Sequence, residues 1–273
     1  MTHVPRKRFG QHFLHERAVI GKIVAAIAPQ RDDAMVEIGP GLGALTVPLL
    51  ERVDRLDAIE IDRDLAARLA AEHPRLTVHR GDALEFDFAR LPGRLRVVGN
   101  LPYNVSTPLL FRLAGVAERL RDAHLMLQRE VVDRMIAAPS TPAYGRLSVM
   151  LQYRFEMRKL FDVKPGAFRP PPKVDSAVVR LAPRPAASLG AKDDGALARV
   201  VTAAFTKRRK TLRNALAGVI DEAGLRTLGI DPGLRPENLG VAEYVAIADA
   251  IASSARSVAT DSPGSTPLDR QDP

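Results

Sequence analysis

The residues best suited to chemistry stand in one stretch, Gly99-Asn100-Leu101-Pro102-Tyr103-Asn104. It follows the apolar run Leu95, Val97, Val98 and precedes Ser106, Thr107 and Pro108. The run reads as a buried strand and the following residues as a helix start. A carboxamide and a phenol therefore stand at the carboxyl end of a strand, where ligands bind in open α/β sheets. Pro102 fixes its own φ and biases Leu101 toward an extended conformation, so the turn is stiff. Such a turn, with an amide oxygen, main-chain carbonyls and an aromatic face, suits a flat heterocycle carrying an exocyclic amine. Without that chemistry, Asn100 is a local cap and Tyr103 a packing residue.

Three earlier turns carry polar groups in the same way. Met35 to Ile38 reads as a short strand, and Gly39-Pro40-Gly41-Leu42-Gly43 follows at once, then a helical run from Ala44 to Leu50. Strand, glycine turn, helix is the geometry in which main chain comes close to a ligand. The spacing is GxGxG, and Pro40 removes a main-chain donor, so the turn fits a ligand without phosphates better than a pyrophosphate. Glu60 ends the next strand, Leu56 to Ile61, about twenty residues on, where a carboxylate accepts from ribose hydroxyls. Asp82 follows a third strand, Leu76 to His79, and can accept from an exocyclic amine or simply cap a turn. Each turn alone is weak. Together they set polar groups along one edge of one parallel sheet, as an adenosine-type cofactor beside a reactive base would require.

Other elements must position these turns. Val19, Ile20, Ile23, Val24 and Ile27 recur with a helical period between Arg17 and Ala28. A fifth strand is expected over Asp122–Leu127, a helix from Gln128, a helix then a strand over Val149–Phe161 after the lead-in Tyr144–Ser148, and a last strand over Val174–Leu181. Phe168-Arg169-Pro170-Pro171-Pro172-Lys173 reads as rigid and extended; Phe168 there is either an exposed aromatic or a core plug. Before the first helix, Arg6, Lys7 and Arg8 lead into Phe9-Gly10-Gln11-His12-Phe13-Leu14, a tail or a flap over a site.

After Pro183 the character changes. Residues 186–194 read as a polar linker, and from Gly195 to about Ser254 the apolar residues recur with a helical period. This small all-helical region holds Lys207-Arg208-Arg209-Lys210 and Arg213, a cluster suited to phosphates. The Ser-, Pro- and Asp-rich stretch 256–273 reads as disordered. The expected domains are thus 1–184, 185–255 and a tail, 256–273.

Composition narrows the chemistry. With 40 Lys and Arg against 32 Asp and Glu, the net charge is +8, which favours a polyanionic partner. There is no cysteine, so disulfides, thiolate metal sites and thiol nucleophiles are excluded. The six histidines are not in ligand spacing with carboxylates, so no metal is expected. No secretory signal and no apolar run of membrane-spanning length is seen, and a cytoplasmic protein is expected.

Read together, five motifs make the chain resemble the bacterial small-subunit (16S) ribosomal RNA adenine N6,N6-dimethyltransferases. They are Arg8-Phe9-Gly10-Gln11-His12-Phe13-Leu14, Glu37-Ile38-Gly39-Pro40-Gly41, Asn100-Leu101-Pro102-Tyr103, Phe168 to Ser176, and Arg208-Arg209-Lys210-Thr211-Leu212-Arg213-Asn214. The resemblance spans about residues 6–252. It implies a Rossmann-like class I methyltransferase sheet of seven mostly parallel strands with a helical C-terminal domain. It implies S-adenosyl-L-methionine as methyl donor and dimethylation of two adjacent adenines in a hairpin loop near the 3′ end of 16S rRNA. The substrate would be an immature small ribosomal subunit, and the protein a monomer.

Carried over by position, His12 and Leu14 would close on the cofactor and Gly39, with Gly41, would approach its methionine part. Glu60 would hold the ribose hydroxyls, Asp82 the adenine amine, and Asn100 would face cofactor and target together. Some members carry asparagine in place of His12; a main-chain contact survives that change. Asn100 and a carbonyl of Leu101 or Pro102 would accept the target amine's hydrogens, with Tyr103 and Phe168 stacking on the two faces of the base. Arg6, Lys7, Arg8, Lys207, Arg208, Arg209, Lys210 and Arg213 would meet RNA. Three alternatives stay open: methylation of a large-subunit adenine, a nicotinamide-dependent oxidoreductase, and a non-enzymatic RNA-binding assembly factor.

Overall fold

A computed structural model of the chain describes residues 11–185, 188 and 190–260, with the main chain alone for 254–260. The described residues divide into two compact units at the 189–190 junction.

The first unit contains, in order, β1 (Phe13–Leu14), α1 (Arg17–Ile27), β2 (Ala34–Ile38), α2 (Thr46–Leu50), β3 (Leu56–Glu60), α3 (Arg63–Glu72), β4 (Leu76–Arg80), β5 (Leu95–Asn100), α4 (Ser106–Gly115), β6 (Leu120–Gln128), α5 (Arg129–Met135), α6 (Arg146–Arg154), β7 (Phe155–Val163), β8 (Phe168–Arg169) and β9 (Ser176–Pro183). Seven of the described strands form one sheet in the order β4-β3-β2-β5-β6-β9-β7. The β4 to β6 neighbours are parallel, and β9 runs antiparallel to both β6 and β7. This is the expected Rossmann-like sheet of seven mostly parallel strands. Chain order reverses between β2 and β5, so the glycine turn and the Asn100 turn leave the sheet side by side at its switch point.

Side chains alternate between faces with the period of a strand. Val36, Ile38, Val97, Leu125, Leu127 and Val179 pack under α4 and α6. Met35, Val98, Met126 and Val178 turn the other way, with Ile23, Val24 and Ile27 of α1 and Leu69 of α3. Burying each such side chain contributes about 1.5–3 kcal/mol, so the sheet is a stiff frame for the turns at its edge. At Gly99 an added Cβ would lie 2.6 Å from the Ile38 carbonyl, so only glycine lets β5 run this close to β2 just before Asn100.

At the amino end of the sheet a buried cluster ties α1 to the strands. Arg96 gives a bidentate pair to Asp122 (2.9 and 3.0 Å) and a 2.7 Å contact to Asp33. It also donates to the carbonyls of Ile27 and Ala28 at the end of α1. Arg121 reaches the other Asp33 oxygen at 2.6 Å. Burial raises the Asp122 carboxyl, but Arg96, His124 and Arg180 together hold it below the usual carboxylate range.

Phe168–Lys173 departs from the extended reading. Phe168 and Arg169 pair with β1, Arg169–Pro170 is a cis peptide, and the chain bends after it. Pairing across two short strands sets the course of this segment, which proline content alone does not.

The second unit has α7 (Asp194–Thr206), α8 (Leu212–Ala215), α9 (Glu222–Thr227) and α10 (Val241–Thr260). Leu197, Val200, Val201 and Ala204 of α7 are buried, as are Tyr244, Ile247 and Ala248 of α10. The last helix continues to Thr260, five residues into the stretch expected as tail; 261–273 lie outside the described residues. None of the described helices is long and apolar enough to cross a membrane.

Candidate active site

The four turns converge on one cleft at the carboxyl ends of β2 to β5, lined among others by His12, Glu37, Gly39, Glu60, Asp82 and Asn100. Gly39, Gly41 and Gly43 have φ of +68°, +59° and +86°, the left-handed region in which a Cβ is unfavourable. At Gly41 a Cβ would also crowd the Phe13 ring at 3.1 Å. Glu60 is 4% exposed and anchors this turn: Oε2 accepts from Gly41 N (3.1 Å) and Oε1 from Asp62 N (2.8 Å). Burial lifts its carboxyl above the ordinary range, against the pull of those donors. Asp82 Oδ1 accepts from Leu84 N at 2.9 Å, so the turn-capping reading holds for one of its two oxygens.

Asn100 donates Nδ2 to the His12 carbonyl at 2.9 Å. A carbonyl can only accept, so this bond assigns the amide: nitrogen toward the His12 carbonyl, Oδ1 left as the acceptor. Leu101 is buried, with its N–H on the Met126 carbonyl. The Pro102 carbonyl already accepts from Val105 N. Tyr103 shares a 2.6 Å hydrogen bond with Ser176 Oγ, and its ring is stacked on His12 at 5.5 Å between centroids and 29° between planes. Burial raises its phenol, which stays neutral.

Phe168 is a correction. The expectation that it stacks on a target base fails here, because its side chain is 2% exposed and packs in the core with Leu14, Ile23 and Val178. Its pairing with Leu14 turns the ring inward, and the aromatic neighbour of Tyr103 is His12. Leu14 lines the cleft from the same pair of strands and is itself 5% exposed.

The structure adds residues that were given no role above. Glu37 stands with Met35 on the alternation of β2, is 2% exposed and lines the cleft. Thr46 Oγ1 donates to it at 2.6 Å. Burial pushes its carboxyl up to about 7, opposed by the Thr46 hydroxyl and assisted by the charge of Glu60. A carboxylate out of place in an apolar strand was the signal that could have marked it. Leu42 and Ile61, 38% and 45% exposed, give the cleft apolar faces. Ser176 was visible only as the end of a motif.

The donor set decides which ligand fits. Three carboxylates line the cleft, and no lysine or arginine does among its described residues. A dinucleotide would bring a pyrophosphate to that negative lining with no cation to meet it, which disfavours the nicotinamide alternative. A ligand carrying a sulfonium and an ammonium group, ribose hydroxyls and an adenine amine matches it. Among the described residues no group of three His, Asp or Glu could hold a metal ion.

The cations of the second unit do not act alike. Arg208 is half-buried and bound to Glu237 at 2.6 Å, and Arg213 lies 3.7 Å from Glu222. Lys207, Arg209 and Lys210 are exposed. Arg6, Lys7 and Arg8 lie outside the described residues.

Comparison with known proteins shows the family. Residues 2–253 match the family model for ribosomal RNA adenine dimethylase. The chain is 62% identical over 253 residues to a ribosomal RNA small subunit methyltransferase A of Aromatoleum aromaticum, covering 92% of this chain and 96% of that one. A solved dimethyladenosine transferase from Plasmodium falciparum superposes with a TM-score of 0.76 at 26% identity, over 86% of this chain and 96% of that chain. The 23S rRNA methyltransferase ErmE gives 0.65, also at 26% identity, over 88% and 99%.

Proposed function

Because the chain belongs to the ribosomal RNA adenine dimethylase family, and so dimethylates ribosomal RNA adenines with S-adenosylmethionine, we propose that its substrate is 16S rRNA. Two adjacent adenines in the 3′-terminal hairpin loop would each gain two methyl groups at N6, on an immature small subunit, as a step linked to its assembly. The protein would act as a cytoplasmic monomer. The observation that carries the choice of subunit is the 62% identity to a small subunit methyltransferase across nearly the whole of both chains. A non-enzymatic assembly factor has no need of the acceptor pair described next, although an assembly role can accompany catalysis.

In this reading Glu60 holds the ribose hydroxyls through the lone pairs its main-chain donors leave free. The second oxygen of Asp82 takes the cofactor's adenine amine, with Ile61 and Leu42 against the ring. The main chain at Gly39 and Gly41 approaches the methionine part, and Glu37 supplies negative charge near its cationic groups. When bound, S-adenosylmethionine supplies a methyl group on a positively charged sulfur.

The N6 lone pair of adenine is delocalised into the ring, so the amine is a poor nucleophile. Asn100 Oδ1 and the Leu101 carbonyl would accept its two hydrogens. Leu101 is the better choice of carbonyl because Pro102 is already engaged by Val105. Held this way, the nitrogen is more pyramidal and its lone pair is aimed. Positioning and preorganised dipoles do most of the work. A base must leave its stack to reach the turn, and Tyr103 offers it an aromatic face worth about 1–3 kcal/mol. No strong general base is required, since the cationic product amine sheds its proton readily to water. Lys207, Arg209 and Lys210 are the cations we assign to RNA phosphates.

The test is transfer of labelled methyl groups to unmethylated small subunits, with Asn100→Ala alongside, followed by digestion and separation of nucleosides. We expect N6-dimethyladenosine from the wild type and its loss in the variant. Label confined to large-subunit RNA would overturn the substrate assignment.

A further inference from the structure

Three motifs far apart in the chain meet in a closed circuit around Asn100. The strap Gln11–Leu14 lies between the Asn100 turn and the segment after β7. On one side Asn100 Nδ2 donates to the His12 carbonyl at 2.9 Å and the Tyr103 ring lies on the His12 ring. On the other, Phe13 and Leu14 pair with Arg169 and Phe168, and His15 N donates to the Ala167 carbonyl at 3.0 Å. His12 Nδ1 is 2.8 Å from the Pro170 carbonyl, which can only accept, so Nδ1 carries the proton. The circuit closes where Ser176 Oγ meets the Tyr103 hydroxyl at 2.6 Å.

We propose that His12 is a positioning residue for methyl transfer: its imidazole fastens the strap to Pro170, and its carbonyl thereby holds the Asn100 amide with Oδ1 turned to the target amine. This rests on reading Asn100 as the acceptor for that amine. An asparagine side chain has two competing orientations, one presenting oxygen and the other nitrogen to a ligand. Presenting nitrogen would repel the N6 hydrogens and forfeit the lone-pair alignment. The strap removes that orientation before RNA arrives, so the amide needs no reorganisation at the moment of reaction. Leu101 is fixed by other means, through its N–H on Met126. The amide is the half of the acceptor pair that depends on the strap.

The assignment separates two functions of His12. Its ring covers a face of Tyr103, and its Nδ1 holds Pro170. Asparagine at this position keeps a short side-chain donor and loses the ring; alanine loses both. The experiment compares His12→Ala, His12→Asn and wild type in single-turnover methylation of unmethylated small subunits, with cofactor affinity measured by calorimetry. We expect His12→Ala to slow transfer about tenfold or more, in keeping with the cost of a misplaced group. His12→Asn should recover most of that loss, and cofactor Kd should change far less than the rate. A rate in His12→Ala equal to wild type overturns the proposal. So does an Asn variant as slow as the Ala variant, or a Kd change as large as the rate loss, which would make His12 a cofactor contact.

A second measurement needs no turnover. Amide hydrogen exchange at His15 reports the strap directly, and Asn100→Ala should speed it about tenfold. Unchanged exchange overturns the proposal whatever the activity. If wild type fails to methylate small-subunit RNA, the substrate assignment falls, while the exchange comparison still decides the strap.

Discussion

The two ends of one sheet both bury carboxylates and treat them in opposite ways. At the amino end Asp33 and Asp122 are fully engaged by Arg96, Arg121 and Arg180. At the carboxyl end Glu37, Glu60 and Asp82 face a cleft whose described lining holds no cation, and their partners are a hydroxyl and main-chain N–H groups. Burying charge is costly unless it is paired. A cluster that pairs its charges within the protein spends them on the fold. One that leaves them without a cation keeps them for a ligand that brings its own. In this chain the difference separates scaffold from site more cleanly than burial does, since Glu37 and Asp122 are almost equally hidden.

The comparison breaks most visibly at the amino end. Asp33→Ala leaves Arg96 short of a partner and should cost about 3–5 kcal/mol in urea unfolding. If the loss is under about 1 kcal/mol, the cluster does not hold the fold. At the other end, Asn100→Ala should lower methyl transfer about a hundredfold or more. Its unfolding free energy should change by no more than about 1 kcal/mol. Equal losses of stability from the two variants would erase the distinction.

Protonation sharpens it further. Glu37 titrates near 7 in the folded chain and lower when unfolded, so the folded state loses stability as pH rises from about 4.5 to 7. His124, 3% exposed on the amino-end cluster, is held down to about 4, first by burial and further by Arg96 and Arg180, despite the charge of Asp122. Its protonation is favoured in the unfolded chain, so stability falls as pH drops from 6.5 to about 4. The two slopes oppose each other in the shared window. Relative to wild type, Glu37→Gln should tilt the curve downward on acidification between 6.5 and 4.5, and His124→Leu should tilt it upward. Parallel curves for the two variants would show that the buried groups do not titrate as their surroundings dictate.

The smallest effects concern the second unit, where the same rule applies to cations. Changing Lys207, Arg209 or Lys210 to Glu should weaken RNA binding, and removing each charge should lower the slope of log affinity against log salt by about 0.7–0.9. Arg208→Ala should instead cost up to about 1 kcal/mol of stability through its loss from Glu237. A salt slope unchanged in all three variants would remove these residues from the RNA surface.

What could be read from the chain follows the range of the interactions involved. Gly39, Glu60, Asp82 and Asn100 each end a strand that its own apolar run announces, so their common edge follows from parallel order alone. The inward turn of Phe168 follows from pairing with Leu14, 154 positions earlier, and no local pattern carries that. The His12 ring on Tyr103 and the salt bridge of Arg208 to Glu237 are likewise set by tertiary partners. Glu37 was legible in principle, but its chemistry depends on Thr46 closing over it. Domain limits blurred for another reason: α10 keeps its helical pattern into residues whose composition alone reads as tail.

The reversed strand β9 has a consequence for biosynthesis. Because β6 and β7 both pair with β9 and not with each other, a chain that has not yet reached β9 can join only five of the seven strands, and one edge of β6 stays open. Ser176, the residue that closes on Tyr103, is the first of β9 and arrives more than seventy residues after it. Until that stretch is free of the exit tunnel, the Tyr103 hydroxyl of the Asn100 turn lacks its Ser176 partner.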